Sequence, residues 1–163
     1  MREIRDVNSI LFVCLGNICR SPLAEGVFRH RLGQEAPERQ MIIDSAGTGD
    51  WHVGEPPDQR MRNTSLENGV SIDNLRARQF SRADFDDYDL ILAMDRNNLR
   101  DILSQSSKKS ARQKVMLFRN WEPGQPDSLD VPDPYFGGQQ GFDEVFDIVD
   151  RTVQRLVAEL TGS

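Results

Sequence analysis

Apolar residues in this chain fall into short continuous runs and one long periodic stretch, and the two patterns predict different elements. Ile10-Leu11-Phe12-Val13, Met41-Ile42-Ile43, Leu90-Ile91-Leu92-Ala93-Met94 and Val115-Met116-Leu117-Phe118 show no alternation with polar residues. The first predicts a strand covered on both faces, and the other three predict further strands. The second ends at Ser45-Ala46-Gly47. After the first, Ser21-Pro22 opens a helical pattern, Leu23-Ala24-Glu25-Gly26-Val27-Phe28, with Glu25 in its first turn and a stop predicted at Leu32-Gly33. A second helix is predicted over 58–68, closed by Gly69. Asp95 can cap a third, whose apolar positions include Leu99, Ile102 and Leu103. Near the C-terminus Phe142, Val145, Phe146, Val149, Val153, Leu156, Val157 and Leu160 recur at three- and four-residue spacing, the buried face of a long helix.

Strands alternating with helices predict an α/β fold with a parallel sheet covered on both sides. In such sheets ligands bind beyond the carboxyl ends of the strands. That rule selects segments 14–21, 45–51 and 94–98 and the loop after Phe118. The loop holds Pro123, Gly124, Pro126, Pro132, Pro134, Gly137 and Gly138, and a connection of this length is usually functional.

Composition narrows the function classes. The chain has 163 residues, 37% of them hydrophobic, which predicts one domain over 1–163, with residues 1–8 frayed. Lys and Arg number 20 against 26 Asp and Glu, a net charge of −6. An anionic chain repels nucleic acid and acidic lipid unless a basic patch forms, and Lys108-Lys109 is only a pair, so no nucleic-acid or membrane partner is expected. Two cysteines and two histidines cannot make a disulfide framework or a zinc set of ordinary spacing, and neither metal nor cofactor is expected. The apolar run at 10–15 is too short to span a bilayer, and the mixed charges before it are unlike a secretory leader. The compartment predicted is a reducing cytoplasm.

The chemistry gathers in Cys14-Leu15-Gly16-Asn17-Ile18-Cys19-Arg20-Ser21. This segment joins a buried strand to a helix N-terminus, where free N–H groups and the helix dipole favour an anion. Gly16 and Asn17 most readily take positive φ, so the loop can curl and aim its amides inward. Such a loop is a concave anion site. Arg20 can add a bidentate fork to a tetrahedral oxyanion. Cys14 would direct its sulfur into the same bowl, where amides, dipole and Arg20 favour a thiolate nucleophile and Ser21 can donate to it. A lone cysteine in a strand is ordinarily a buried filler. The C-x5-R-S spacing in this context argues against that reading.

At these residues the chain resembles the low-molecular-weight protein tyrosine phosphatases. The 14–21 loop with Pro22-Leu23-Ala24-Glu25 is similar to the family signature. Asp44-Ser45-Ala46-Gly47-Thr48, Ala77-Arg78-Gln79, Ala93-Met94-Asp95 and Asp133-Pro134-Tyr135 resemble its later landmarks, in order. The resemblance runs from Ile10 to the final helix. It implies a three-layer α/β/α fold of flavodoxin-like type, with a four-stranded parallel sheet in the order 2-1-3-4. It also implies metal-independent hydrolysis of phosphotyrosine in protein substrates through a phosphocysteine, by a monomer with at most weak self-association. By position, Cys14 is the nucleophile, Arg20 binds phosphate and the transition state, and Asp133 is the proton donor.

Chemistry independently requires such an acid, because a phenolate departs more easily protonated and the attacking water must later lose a proton. The long loop offers Asp127, Asp130 and Asp133. The resemblance selects Asp133 and leaves Asp130 as the alternative. Trp51, Tyr135 and Phe136 can wall a slot around an aromatic ring, against the competing reading that Trp51 and Phe136 anchor core or loops. Leu15, Gly16, Asn17, Ile18, Cys19, Arg20 and Ser21 form the phosphate loop, whose shape Asn17 and Ser21 hold. Ser45 and Asp95 are placed as supporting residues, although a helix cap explains Asp95 nearly as well. Many eukaryotic members carry a histidine bonded to the loop asparagine, and here Leu75 takes that position. His30 and His52 have no metal-ligand spacing and are read as surface or structural. Cys19 is either a small filler or a resolving thiol that pairs with Cys14 under peroxide.

Three alternatives share the loop. Arsenate reductases need further cysteines to relay a disulfide, and none exists beyond Cys19. In protein-arginine phosphatases a threonine precedes the second loop cysteine, where this chain has Ile18. A non-catalytic phosphate-binding module would not need Cys14, Arg20 and Asp133 together. G-x-S-x-G and Walker sequences are absent, and Gly47-x-Gly49 lacks a third glycine at position 52.

Overall fold

The computed structural model describes residues 3–162. Four strands, β1 (Ser9–Cys14), β2 (Ile42–Gly47), β3 (Leu90–Ala93) and β4 (Val115–Leu117), form one parallel sheet in the order β2-β1-β3-β4. The helices are α1 (Arg20–Glu35), α2 (Gln59–Glu67), α3 (Asp84–Asp87), α4 (Arg96–Leu103), α5 (Lys109–Arg112) and α6 (Gln139–Thr161). Fold class and strand order are those expected from the sequence.

The unalternated runs of the central strands β1 and β3 reflect two cores, one on each face of the sheet, whereas Ile42 and Met116 on the edge strands are exposed. Ile10, Phe12 and Cys14 of β1 join Leu23, Phe28, Phe118, Phe142 and Val149 beneath α1 and α6. Leu11 and Val13 face the other way, onto Phe80, Phe85, Ile91 and Ile102. Phe12 makes ring contacts with Phe28 at 5.7 Å and Phe118 at 5.8 Å, fixing β1 against α1 and the chain after β4. Truncating such a ring to alanine costs about 3–5 kcal/mol. The result is a rigid central strand that ends at Cys14. Among the described residues no helix is long and apolar enough to cross a membrane.

Three sequence expectations are corrected. Helix α1 continues past Gly33 to Glu35, because a side chain at 33 would meet nothing and the buried face on either side sustains the helix. The helix also starts earlier, at Arg20, so Glu25 lies beyond the first turn, buried rather than facing the dipole. The N-terminus is not frayed over 3–8: Ile4–Asp6 form a 3-10 turn, Val7 is buried, and Arg39 donates to the carbonyls of Arg5 and Val7. Residues 1 and 2 lie outside the described residues. Gly69, at φ +85°, ends α2 as expected.

Candidate active site

Segment 14–21 curls at the carboxyl end of β1, and one residue sets the curl. Asn17 has φ +58°, the one non-glycine residue with positive φ among those described. Gly16, expected to share that role, does not adopt it; it instead leaves room for His52, whose Cδ2 would be 3.1 Å from a Cβ there. The backbone N–H of Asn17 donates to Cys14 Sγ at 3.2 Å. Its side-chain amide donates to Ser21 Oγ at 2.7 Å and Ser45 Oγ at 3.0 Å, while its oxygen accepts from the N–H of Arg78 at 3.0 Å. Leu75 thus needs no replacement function, because a backbone amide does the work expected of a histidine. Arg78 is held in place by Asp44 and Asp84.

These bonds orient protons. Ser21 Oγ accepts from Asn17, so its own hydrogen is free for Cys14 Sγ at 3.0 Å, closer than its other acceptor, the Ala46 carbonyl at 3.4 Å. Ser45 likewise accepts from Asn17 and donates to Glu25 Oε1 at 2.7 Å. Burial pushes the Glu25 carboxyl above the usual carboxylate range, against the pull of Ser45 and Arg29. The loop rests on β2 where a side chain is impossible: a Cβ on Gly47 would lie 2.8 Å from the Leu15 carbonyl oxygen. Among the described residues, the amides of Gly16, Ile18 and Cys19 make no hydrogen bond to a protein acceptor.

Arg20 is 2% exposed, and its Nη1 donates to Asp95 Oδ2 at 2.6 Å and the Val131 carbonyl at 2.9 Å. Burial opposes its charge, but Cys14, Asp95 and Asp133 outweigh it and hold the guanidinium above its usual range. Asp95 also caps α4, its other oxygen accepting from the N–H of Asn98 at 2.8 Å. Asp95 thus contacts Arg20 and caps α4 at once. Asp133 Oδ2 lies 3.7 Å from Arg20 Nη2, and its Oδ1 accepts from the N–H of Tyr135 at 3.1 Å, leaving a side chain 41% exposed. Asp130 turns elsewhere, accepting from the N–H of Arg96 at 2.9 Å, and neither it nor Asp127 lines the cleft.

The cleft above Cys14 has a volume of about 160 Å³ and is lined by the loop, Asp133, Trp51, His52, Tyr135 and Phe136. Trp51 is 68% exposed and Phe136 95%, so neither is a core anchor; both are walls. The Trp51 indole lies over Gly49, where a Cβ would sit 1.8 Å from the ring. Cys19 also lines the cleft; burial first, then Asp58, Cys14 and Asp133, pushes its thiol well above the usual range. His52 is the residue sequence reading missed. Its ring joins the wall 6.3 Å from Tyr135 and its Nδ1 lies 2.6 Å from Glu55 Oε2. Adjacency to Trp51 was its only sequence signal.

The sequence profile of the family described as low molecular weight phosphotyrosine protein phosphatase matches residues 9–163. The chain is 47% identical over 139 residues to the low molecular weight phosphotyrosine protein phosphatase of Schizosaccharomyces pombe, covering 84% of this chain and 86% of that one. It is 40% identical to the low molecular weight protein-tyrosine-phosphatase YfkJ of Bacillus subtilis, over 93% and 95% of the two chains. In three dimensions it resembles the crystal structure of a protein tyrosine phosphatase from Entamoeba histolytica with Hepes in the active site. There the TM-score is 0.88 at 36% identity, over 94% and 97% of the chains.

Proposed function

Since the chain belongs to the low molecular weight phosphotyrosine protein phosphatase family, we propose that it hydrolyses phosphotyrosine in proteins through a phosphocysteine, without a metal. The observation that carries this reading is the convergence of Cys14 Sγ, the Arg20 guanidinium and the Asp133 carboxyl on one aromatic-walled cleft. The amides of Gly16, Ile18 and Cys19 and the fork of Arg20 bind the phosphoryl oxygens, which places phosphorus in line with the sulfur. Thiolate attack forms the S–P bond as the P–O bond to the phenol breaks. Asp133, entering protonated, gives its proton to the departing oxygen. Charge builds on the equatorial oxygens in this transition state, where Arg20 is already held by Asp95 and Val131 and need not reorganise.

In the second step Asp133 takes a proton from water as that water attacks phosphorus. The S–P bond breaks, inorganic phosphate leaves, and the Ser21 hydroxyl stabilises the returning thiolate. Trp51, Tyr135 and Phe136 wall the cleft around an aromatic ring, and tyrosine is the side chain long enough to carry its phosphate past them to Cys14. Hydrolysis of p-nitrophenyl phosphate and of a phosphotyrosine peptide, in the presence of chelator, tests the reading. Cys14→Ser is expected to abolish both. Asp133→Asn is expected to lower kcat/KM on the peptide by about 10²-fold or more, with a smaller loss for the better leaving group. Activity retained by Cys14→Ser overturns the mechanism, and equal losses on both substrates remove Asp133 as the acid.

A further inference from the structure

The segment that carries Asp133 is secured in an unequal way. At its start, the Val131 N–H donates to the Met94 carbonyl and the Val131 carbonyl accepts from Arg20. From 132 to 138, among the described residues, every hydrogen bond but two lies within the segment or the start of α6. Both exceptions come from one side chain. Arg60 Nη2 donates to the Tyr135 carbonyl at 2.9 Å and Nη1 to the Gly137 carbonyl at 3.2 Å. Its guanidinium also stacks 4.6 Å from the centre of the Phe142 ring, at the head of α6.

Arg60 is itself pre-aimed. Its Nε and Nη2 are both 3.1 Å from the two oxygens of Asp58, the residue that caps α2. The backbone N–H of Asp58 donates to the Ile18 carbonyl at 2.8 Å, in the phosphate-binding loop. A continuous chain of bonds therefore runs from Ile18 through Asp58 and Arg60 to Tyr135. The Tyr135 N–H in turn donates to Asp133 Oδ1. The planar, forked guanidinium suits this task, since one rigid group spans a carboxylate and two carbonyls.

We propose that Arg60 is a positioning residue for the acid–base step: it locks segment 135–137 to the edge of the phosphate loop and so sets where the Asp133 carboxyl stands relative to Cys14. This rests on the reading of Asp133 as the proton donor. Arg60 touches neither phosphate nor leaving group, so its removal acts through the segment it holds, which carries both Asp133 and the Tyr135 wall. A misplacement of about 1 Å at a reacting group can cost about 10²-fold in rate.

The test compares kcat/KM, which reports the step that releases the phenol, for phenyl phosphate and p-nitrophenyl phosphate. Arg60→Ala is expected to lose about tenfold on phenyl phosphate and clearly less on p-nitrophenyl phosphate. Arg60→Lys, which keeps the charge and folds with the least disturbance, is expected to fall between wild type and Arg60→Ala. In the Asp133→Asn background, the leaving-group-dependent part of the Arg60→Ala loss is expected to vanish, because in that step the two act as one unit. Equal losses on both substrates, or a loss that persists undiminished in that background, overturn the positioning role while leaving Asp133 in place. If Asp133→Asn itself shows no leaving-group dependence, the proton-donor reading falls and this proposal with it.

Discussion

Asp95 divides its two oxygens between two donors, and an asparagine in its place cannot serve both. Oδ2 accepts from Arg20 Nη1 at 2.6 Å and Oδ1 from the Asn98 N–H at 2.8 Å. The amide of Asp95→Asn has a single acceptor oxygen. Asparagine caps a helix as well as aspartate does, so the oxygen stays on α4 and the amide group faces the guanidinium. Arg20 then keeps the Val131 carbonyl at 2.9 Å and the more distant Asp133 at 3.7 Å. Breaking a buried pair costs about 3–5 kcal/mol. With the Asp95 side chain 17% exposed and Asp133 still nearby, the low end applies, about 3 kcal/mol. An oxyanion in the cleft restores the missing negative charge, so phosphate stabilises the variant more than the wild type. At a hundredfold excess over Kd such binding adds about 2.7 kcal/mol. Urea unfolding followed by tryptophan fluorescence, with inorganic phosphate or chloride, measures both quantities. A stability loss below about 1 kcal/mol, or an equal phosphate increment in the two proteins, refutes the reasoning.

Two further predictions concern buried titratable groups. The folded state holds Glu25 above the usual carboxylate range, so its contribution to stability is full below the unfolded-state pKa and is lost as pH rises through the folded-state value. Glu25→Gln is therefore expected to flatten the fall in stability as pH rises above the ordinary carboxylate range, measured by denaturant unfolding at each pH; an unchanged slope assigns that fall to other groups. Peroxide is expected to inactivate the enzyme reversibly, with a dithiol restoring it through a Cys14–Cys19 disulfide, whereas Cys19→Ser overoxidises and does not recover. Because burial pushes the Cys19 thiol up, disulfide closure is expected to accelerate with pH, and recovery of Cys19→Ser equal to wild type removes the protective role.

The parts of this molecule legible in the sequence are those whose determinants are adjacent in the chain. The central strands β1 and β3 are legible because both faces of the sheet are buried there, leaving no polar alternation. The phosphate loop was visible because Cys14, Asn17, Arg20 and Ser21 lie within one strand–helix junction. Asp133 was harder: composition offers three equivalent acids, and only the Asp133-Pro134-Tyr135 landmark separated them before the structure turned Asp130 towards Arg96. The rest depends on side chains from separate elements meeting in space. Glu25, Ser45 and Asn17 come from α1, β2 and the loop, and Arg60, held by Asp58, reaches Tyr135 across 75 positions. Neither relay has a periodic signature. Helices α3 and α5, of four residues each, are too short for one.

The central claim is that phosphate passes through the sulfur of Cys14, and trapping that intermediate tests it directly. Asp133→Asn, which slows water attack, is mixed with p-nitrophenyl phosphate, whose phenol departs with little help from an acid, then quenched, and the Cys14 peptide is weighed by mass spectrometry. The account predicts one phosphoryl group on Cys14, forming within the first turnover and absent from Cys14→Ser. Continued turnover with no phosphoryl group on Cys14, or with the group on another residue, would contradict it.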